Sequence, residues 1–393
     1  VMAYAREGWF RGIIWLVLVV FYVQTLNPVM LGYAPPWQGS PPTRTEATTG
    51  SLWQGMLDWL LPAAHAATPP KPAQTSVVFV QRTPQTYKPA YAQPQANGDP
   101  LLASTPEFDL ADPYLVAKAN ELGKDPQKIF AFVRDAIGFE SYVGSLRGAR
   151  GTLWSNAGNA LDQASLLVAL LRISGIPARY AQGTLSKDQA RELVLSMFPS
   201  PKKVLGCPDK NNILSDPGND PALLAEARQH FWVEFQQGGA FVVADPAFRT
   251  AQLGQTFTAA SGQFAEVPGN LRHKVAVRLQ AETGGNAFEV DLQKKTVLDY
   301  TFTSAELVGK PLSIGHFVNS SAQGGLIGAN YTHTYSPYIL VGQNDGNIED
   351  DPIIRGQDYQ EFISSIFGAL ANSVVTGVFL EMDVIQPGGQ KET

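Results

Sequence analysis

Residues 158–183 read GNALDQASLLVALLRISGIPARYAQG, and this stretch has the clearest structural pattern of the chain. Its leucines recur at helical spacing, which predicts a helix from Ala160 to Ser174. Asn159 is suited to cap the start of this helix, and Gly175 to end it as the first residue beyond the C-cap. Apolar residues cover nearly every side except the N-terminal turn, so we expect the helix to lie at the centre of a domain. The sequence that follows, PARYAQG (177–183), predicts a strand.

A β-hairpin is predicted further along, from the strands HFWVEF and AFVVAD. A loop centred on Gln237-Gly238 puts His230 directly opposite Asp245, whereas a turn at Gly238-Gly239 makes the two residues diagonal neighbours. Both alternatives leave the two side chains on the same face of the hairpin. The imidazole and the carboxylate can therefore meet, which is the arrangement by which an acid fixes the tautomer of a base.

A helix N-terminus stabilises a thiolate, so the helix and the hairpin together would assemble a nucleophile, a base and an orienting acid. This set of parts resembles the transglutaminase-like domain, which has a papain-like Cys-His-Asp fold. The resemblance covers roughly residues 105–250, from the segment before the helix through GIPARY and HFWVEF to ADPAF. It is strongest to the variant found in large bacterial surface proteins, some of which carry RHS-type repeats. It implies an α+β fold with the central helix packed on an antiparallel sheet.

The resemblance also implies site residues. In the family, the catalytic cysteine lies four residues before the small residue that begins the buried helical run, with an aspartate between them. Counting back from Ala164, Asp162 falls on the aspartate and Ala160 on the cysteine. His230 corresponds to the base and Asp245 to the acid. Because an alanine methyl cannot attack a carbonyl, and loss of a triad nucleophile costs on the order of 10⁶ in turnover, we expect no acyl transfer.

Alternatives to this interpretation stay open at the level of sequence. Ser165 lies in the same helix but on another face, and Cys207 lies in a loop that can fold back over the site. Ala160 is either native or an engineered replacement of cysteine. His230 and Asp245 are either a remnant site or a pair that persists only because the two groups satisfy each other.

Composition excludes several other functions. The 393 residues carry a net charge of −6, which gives no general attraction to nucleic acid. A single cysteine, Cys207, rules out an intrachain disulfide and a cysteine-based metal site. The other histidines, His273, His316 and His333, lack metal-ligand spacing, and the acidic run 342–351 lacks the pattern of an EF-hand. We therefore predict no metal and no cofactor.

The N-terminal residues 1–34 predict export. Arg6 and Arg11 precede an unbroken apolar run, Ile13–Val23, whose length matches the apolar region of a signal peptide better than a membrane span of about 20 residues. A weaker continuation to Leu31 also allows a membrane anchor. We expect an extracytoplasmic protein, either secreted or tethered to the membrane.

Three further regions follow along the chain. Residues 35–104 are rich in proline and predict an extended tether, with one short amphipathic helix near 52–61. Residues 105–270 form the predicted transglutaminase-like domain, with an insertion at 184–229. Residues 271–393 alternate in polarity and predict a β-rich domain, truncated at its end, with a hairpin turn at Asp345-Gly346 and a helix near 358–371.

Taken together, these features predict an exported surface protein whose transglutaminase-like domain has lost its chemistry. Its expected partners are a peptide, protein or cell-wall ligand, and the membrane through the N-terminal segment. The rival from the enzyme class is an active cysteine protease or transglutaminase that uses Cys207. A third interpretation makes the domain a delivery or assembly module of a larger polypeptide.

Overall fold

The computed structural model describes residues 87–89, 98–198, 216–284, 292–325, 328–342, 353–364 and 373–392. The helices within these ranges are α1 (Pro113–Glu121), α2 (Pro126–Ala136), α3 (Gly148–Ser155), α4 (Ala160–Ile173), α5 (Lys187–Ser196), α6 (Pro221–Arg228) and α7 (Ser304–Leu307). The strands are β1 (Gly138–Phe139), β2 (Ala157–Gly158), β3 (Ala178–Thr184), β4 (Gln229–Gln237), β5 (Ala240–Ala244), β6 (Gly262–Phe264), β7 (Lys274–Gly284), β8 (Gln293–Thr303), β9 (Leu312–Gly325), β10 (Gly328–Val341), β11 (Ile353–Arg355), β12 (Tyr359–Ser364), β13 (Val374–Ile385) and β14 (Lys391–Glu392).

Helix α4 is the predicted central helix. Its first turn is capped by Asn159, whose Oδ1 accepts the backbone N–H of Asp162 at 2.8 Å. Its end is marked by Gly175, which has the positive φ of +77° expected beyond a C-cap. All residues from 160 to 172 are buried, so the prediction of a central helix is confirmed. The N-terminal turn, expected to be the open side, is buried as well, with Ala160 only 4% exposed.

Helix α4 packs on one face of an antiparallel sheet with the strand order β5-β4-β3-β6. The Tyr180 hydroxyl on β3 donates to Ser165 Oγ on α4 at 3.3 Å, which marks the covered face. The side chains of Phe231, Val233 and Phe235 on β4 belong to the same apolar core as the helix. Helices α1, α2 and α3 also contact α4. The predicted α+β class, with a papain-like core of helix and antiparallel sheet, is confirmed.

Strands β4 and β5 form the predicted hairpin with the tighter of the two turns. Gln237 pairs with Ala240, and the two residues between them, Gly238 and Gly239, have φ of +61° and +85°. Two positive φ angles suit a two-residue hairpin turn, and glycine adopts them without strain. Extending the register beyond Val233 and Ala244 puts Asp245 opposite Trp232 and hence diagonal to His230.

The second half of the described chain forms two further antiparallel sheets. One has the order β14-β13-β7-β8, and in the other β10 pairs with β9, β11 and β12. Apolar side chains from both sheets form one core, which includes Val277, Leu279 and Phe302 from the first and Ile339 and Val341 from the second. The alternating patterns at 275–279 and 378–384 predicted strands, and these segments lie in strands β7 and β13.

The helix predicted near 358–371 is wrong for the part that the structure describes, because residues 359–364 form strand β12. This strand pairs with β10, where Tyr359 lies opposite Tyr335 and the two rings stack with centroids 5.2 Å apart. Cross-strand pairing of this kind outweighs a local helical pattern in a short segment. Residues 365–370 lie outside the described ranges.

Several other predictions also fall outside the described residues. They are the export segment 1–34, most of the tether 35–104, the loop with Cys207 and the turn at Asp345-Gly346. Among the helices of the described ranges, none combines the length and apolar character that crossing a membrane requires. The domain boundaries stay predictions.

Candidate functional site

His230 and Asp245 form a buried pair. Nε2 of His230 lies 2.6 Å from Oδ2 of Asp245, and the two residues are 0% and 2% exposed. The other carboxylate oxygen, Oδ1, accepts the backbone N–H of Ala247 at 3.1 Å, which fixes the acid at the end of β5. The contact predicted from the hairpin is therefore present. An acid held in this way orients an imidazole through one nitrogen and leaves the other nitrogen for chemistry.

Aromatic rings hold the His230 ring in place. It stacks on Trp232 with centroids 6.0 Å apart and meets Phe248 edge-on at 5.5 Å. Nδ1 of His230 is buried and has no hydrogen-bond partner among the described residues. Buried polar atoms are nearly always paired, so an unpaired Nδ1 beside a paired Nε2 calls for a functional explanation.

Ala160 lines a small, open cavity at the start of α4. The cavity walls come from four residues before α3 (Phe139, Ser141, Tyr142 and Gly144), from Asn159 and Ala160, and from the junction of α6 with β4. Gln229 and Phe231, the neighbours of His230 along β4, belong to these walls. Strand alternation turns His230 itself the other way, towards Asp245 and Trp232. The helix start and the strand start that carry the predicted site residues thus meet at this cavity.

Asp162 is fully buried and accepts five hydrogen bonds from the loop before α3. The donors are the Tyr142 hydroxyl at 2.7 Å, the Ser145 hydroxyl at 3.2 Å, and the backbone N–H groups of Leu146, Arg147 and Gly148 at 3.1, 2.8 and 3.1 Å. Burial and the negative charge of Asp162 hold the pKa of Tyr142 well above its usual range, so this hydroxyl stays a donor. These contacts make Asp162 the anchor of the loop 142–148.

The same loop connects the site to the β-rich half of the chain. Ser145 donates its N–H to the carbonyl of Leu271 at 2.7 Å and accepts from the N–H of His273 at 3.0 Å. Nε2–H of His273 donates to the carbonyl of Val143 at 2.8 Å. Burial lowers the pKa of His273, which favours the neutral ring in this position. The loop is therefore held from one side by α4 and from the other by the start of β7.

Other residues considered from sequence lie elsewhere. The Ser165 hydroxyl donates to the carbonyl of Leu161 at 2.9 Å inside the helix and is fully buried, so its proton is already committed. His316 shares a hydrogen bond with the Tyr359 hydroxyl, and His333 shares one with Ser320. Within the described ranges, no group of three or more His, Cys, Asp or Glu residues is placed to hold a metal ion.

Sequence reasoning missed the polar residues of the cavity, notably Ser141, Tyr142 and Glu226. Ser141 Oγ lies 3.0 Å from Oε2 of Glu226 although 85 residues separate the two. No spacing pattern connects a loop residue with the last turn of a distant helix. Only the fold brings them together.

Residues 109–246 match the family model of the transglutaminase-like superfamily. The match includes Ala160, Asp162, His230 and Asp245, and this part of the chain is a transglutaminase-like domain. No curated protein matches the chain significantly. Among solved structures, a candidate cysteine protease from Cytophaga hutchinsonii aligns at 17% identity with a TM-score of 0.29. The alignment covers 53% of this chain and 56% of that protein, so the chain spans little more than half of its length.

Proposed function

We propose that this transglutaminase-like domain is catalytically inactive and binds an extended peptide, carried by a protein or by the cell wall. The proposal rests on the residues that stand at the positions the family uses for catalysis. The imidazole and the carboxylate are paired, and Nδ1 of His230 lacks a partner among the described residues. The position that corresponds to the family's nucleophile holds a methyl group. Such a site keeps its architecture without a group that can form an acyl intermediate.

The cavity beside Ala160 supports binding. A cleft that positions a peptide acyl group for attack needs walls that hold the peptide, and these walls do not depend on the nucleophile. Here they combine aromatic rings, such as Phe139 and Phe231, with polar groups, such as Ser141 and Gln229. Apolar surface with a few placed polar groups is the usual composition of a binding site.

The proposal includes export and a role in binding or architecture at the cell surface. Support comes from the Arg6 and Arg11 flank of the apolar run Ile13–Val23 and from the proline-rich segment behind it. Alkaline phosphatase fused after residue 104 is expected to be active in a bacterial host, and an inactive fusion would reject export. Association with longer, RHS-containing surface polypeptides is proposed on the resemblance alone, and the coding sequence beyond Thr393 tests it.

The test of inactivity uses the full chain, dansylcadaverine as amine donor and dimethylcasein as glutamine substrate, with a fluorogenic peptide library for hydrolysis. We expect no product above that of the His230→Ala variant. Product that survives His230→Ala comes from a contaminant. Product abolished by both His230→Ala and Cys207→Ser would reject inactivity and favour the rival enzyme that uses Cys207.

A further inference from the structure

We infer that Tyr114 and Trp154 form a docking site for an extended proline-rich segment of a partner protein. Tyr114 lies in the first turn of α1 and Trp154 near the end of α3, and the two residues are 53% and 46% exposed. Tryptophan is highly buried on average, and with tyrosine it is enriched among the residues that dominate binding interfaces. Neither ring lines the cavity beside Ala160, so the inference goes beyond the proposed function and does not depend on it.

The two rings form a right-angled aromatic corner that is held in place from within the domain. Their centroids lie 5.1 Å apart, and their planes meet at 89°. The guanidinium of Arg150 lies 5.7 Å from each ring centroid, and its Nε donates to Oδ2 of Asp112 at 2.5 Å. The backbone of Gly309 lies close to the indole, because a Cβ at this glycine would be only 2.5 Å from Cη2 of Trp154. Rings that are already positioned lose less conformational entropy when a ligand binds.

The polar groups of the aromatic corner favour a ligand that only accepts hydrogen bonds. The indole N–H of Trp154 is a donor, the hydroxyl of Tyr114 can donate, and the guanidinium of Arg150 has no acceptor. Proline has a carbonyl but no N–H, and a polyproline II segment leaves its carbonyls free because it makes no internal hydrogen bonds. A proline-rich peptide therefore presents the acceptors that the corner needs. Its pyrrolidine rings pack against aromatic side chains, which is the usual mode by which such peptides are recognised.

Other occupants match the aromatic corner less well. Sugar hydroxyls donate as well as accept, so a carbohydrate needs an acceptor beside the ring on which it stacks. The carboxylate next to these rings is already engaged, since Oδ2 of Asp112 accepts from Arg150 and Oδ1 accepts the backbone N–H of Tyr114. Pairing of the corner with the same corner of a second copy would bring donors against donors.

The experiment measures binding of fluorescein-labelled decaproline to the full chain by fluorescence anisotropy. The reference is an alternating Ala-Ser peptide of equal length, and we expect decaproline to bind at least about tenfold more tightly. Trp154→Ala should weaken the binding of decaproline at least about tenfold, because a central aromatic residue carries much of the energy of an interface. Trp154→Phe and Tyr114→Phe keep a ring and remove one donor, so each should weaken binding about fivefold.

The matched control is Tyr331→Ala, which removes a ring of similar exposure, 43%, from β10 and should leave the affinity unchanged. Urea denaturation shows whether each variant is folded, and the two phenylalanine variants decide the outcome if Trp154→Ala is not. Equal binding of the two peptides, or decaproline binding that survives in folded Trp154→Ala, would overturn the inference. Binding of a cell-wall oligosaccharide or dimerisation that requires Trp154, without binding of decaproline, would assign the corner to another partner and overturn it as well.

Discussion

Asp162 and Asp245 are both buried in the transglutaminase-like domain, and their surroundings differ. Asp162, in the first turn of α4, accepts five hydrogen bonds, three of them from consecutive backbone N–H groups. Among the described residues, Asp245, just beyond β5, accepts one backbone N–H and contacts the imidazole of His230. The loop donors saturate the Asp162 carboxylate, whereas the Asp245 carboxylate pairs with a side chain whose Nδ1 has no hydrogen-bond partner within the described ranges.

This difference separates an anchor from a site. A carboxylate with five donors gains stability from every one of them and has no capacity left for a ligand. A carboxylate that orients an imidazole contributes less to the stability of the fold. It instead controls how the second ring nitrogen is presented to a bound group. We therefore expect Asp162 to govern stability and Asp245 to govern the chemistry that the site could support.

The largest expected effect comes from Asp162→Ala. The change leaves three buried backbone N–H groups and two hydroxyls without their acceptor, and each buried unsatisfied group costs about 1–3 kcal/mol. We expect a loss of at least about 4 kcal/mol in the free energy of unfolding, measured by urea denaturation. Amide hydrogen exchange should accelerate at Leu146, Arg147 and Gly148.

Asp99→Ala is a matched control, because Asp99 caps the short 3₁₀ turn Pro100–Leu102 through the N–H of Leu101. It should cost about 1 kcal/mol. A loss for Asp162→Ala no greater than that of the control, with unchanged exchange in the loop 142–148, would contradict the role of Asp162 as an anchor.

Asp245→Ala should have a smaller effect, about 2 kcal/mol. It removes the acceptor of two buried donors, Nε2–H of His230 and the N–H of Ala247. The double variant His230→Ala/Asp245→Ala should lose less than the sum of the two single variants, because either single change already breaks the pair. Urea denaturation of the four proteins measures the coupling. Additive losses would mean that the 2.6 Å contact contributes nothing to stability.

Much of this architecture follows from sequence, because the relevant patterns are local. The buried run of α4 has the helical period, and Asn159 and Gly175 mark its ends by their own backbone chemistry. Predicting that His230 and Asp245 lie on the same face of the hairpin required only the parity, odd or even, of their spacing across the glycine turn. The same parity holds for both possible turns, so the contact could be predicted before the register was known.

The remaining features depend on long-range packing. The donors that saturate Asp162 are mainly backbone N–H groups, whose positions no residue type reveals. Glu226 joins Ser141 only through the packing of α6 beside the loop 139–144. Residues 359–364 form a strand because β10 offers them partners, while their local pattern favoured a helix. Sequence patterns thus predicted the central helix and the hairpin pair, but not the cavity between them.

The position of Ala160 can be tested directly by placing a thiol there. Ala160→Cys, in a Cys207→Ser background so that one thiol reports, should place a thiol at the N-terminus of α4. The N–H groups of the helix start stabilise a thiolate, and the variant His230→Ala shows whether the imidazole on β4 adds to this effect. We expect the pKa of this thiol to lie at least one unit below the unperturbed value of about 8.5, equivalent to about 1.4 kcal/mol. Its alkylation rate by iodoacetamide, followed from about pH 4 to 9, gives the midpoint.

Two further variants of Ala160→Cys separate the contributions to this midpoint. His230→Ala removes the imidazole and should raise the midpoint towards the unperturbed value. Asp245→Asn keeps the volume but weakens the orientation of the ring, so it should give an intermediate midpoint. The helix start alone can lower the pKa of a thiol, and a midpoint that is depressed yet indifferent to His230 would assign the whole effect to α4. An unshifted midpoint would mean that neither the helix nor the His230–Asp245 pair acts on position 160, and the assignment of Ala160 to the nucleophile position would have to be withdrawn.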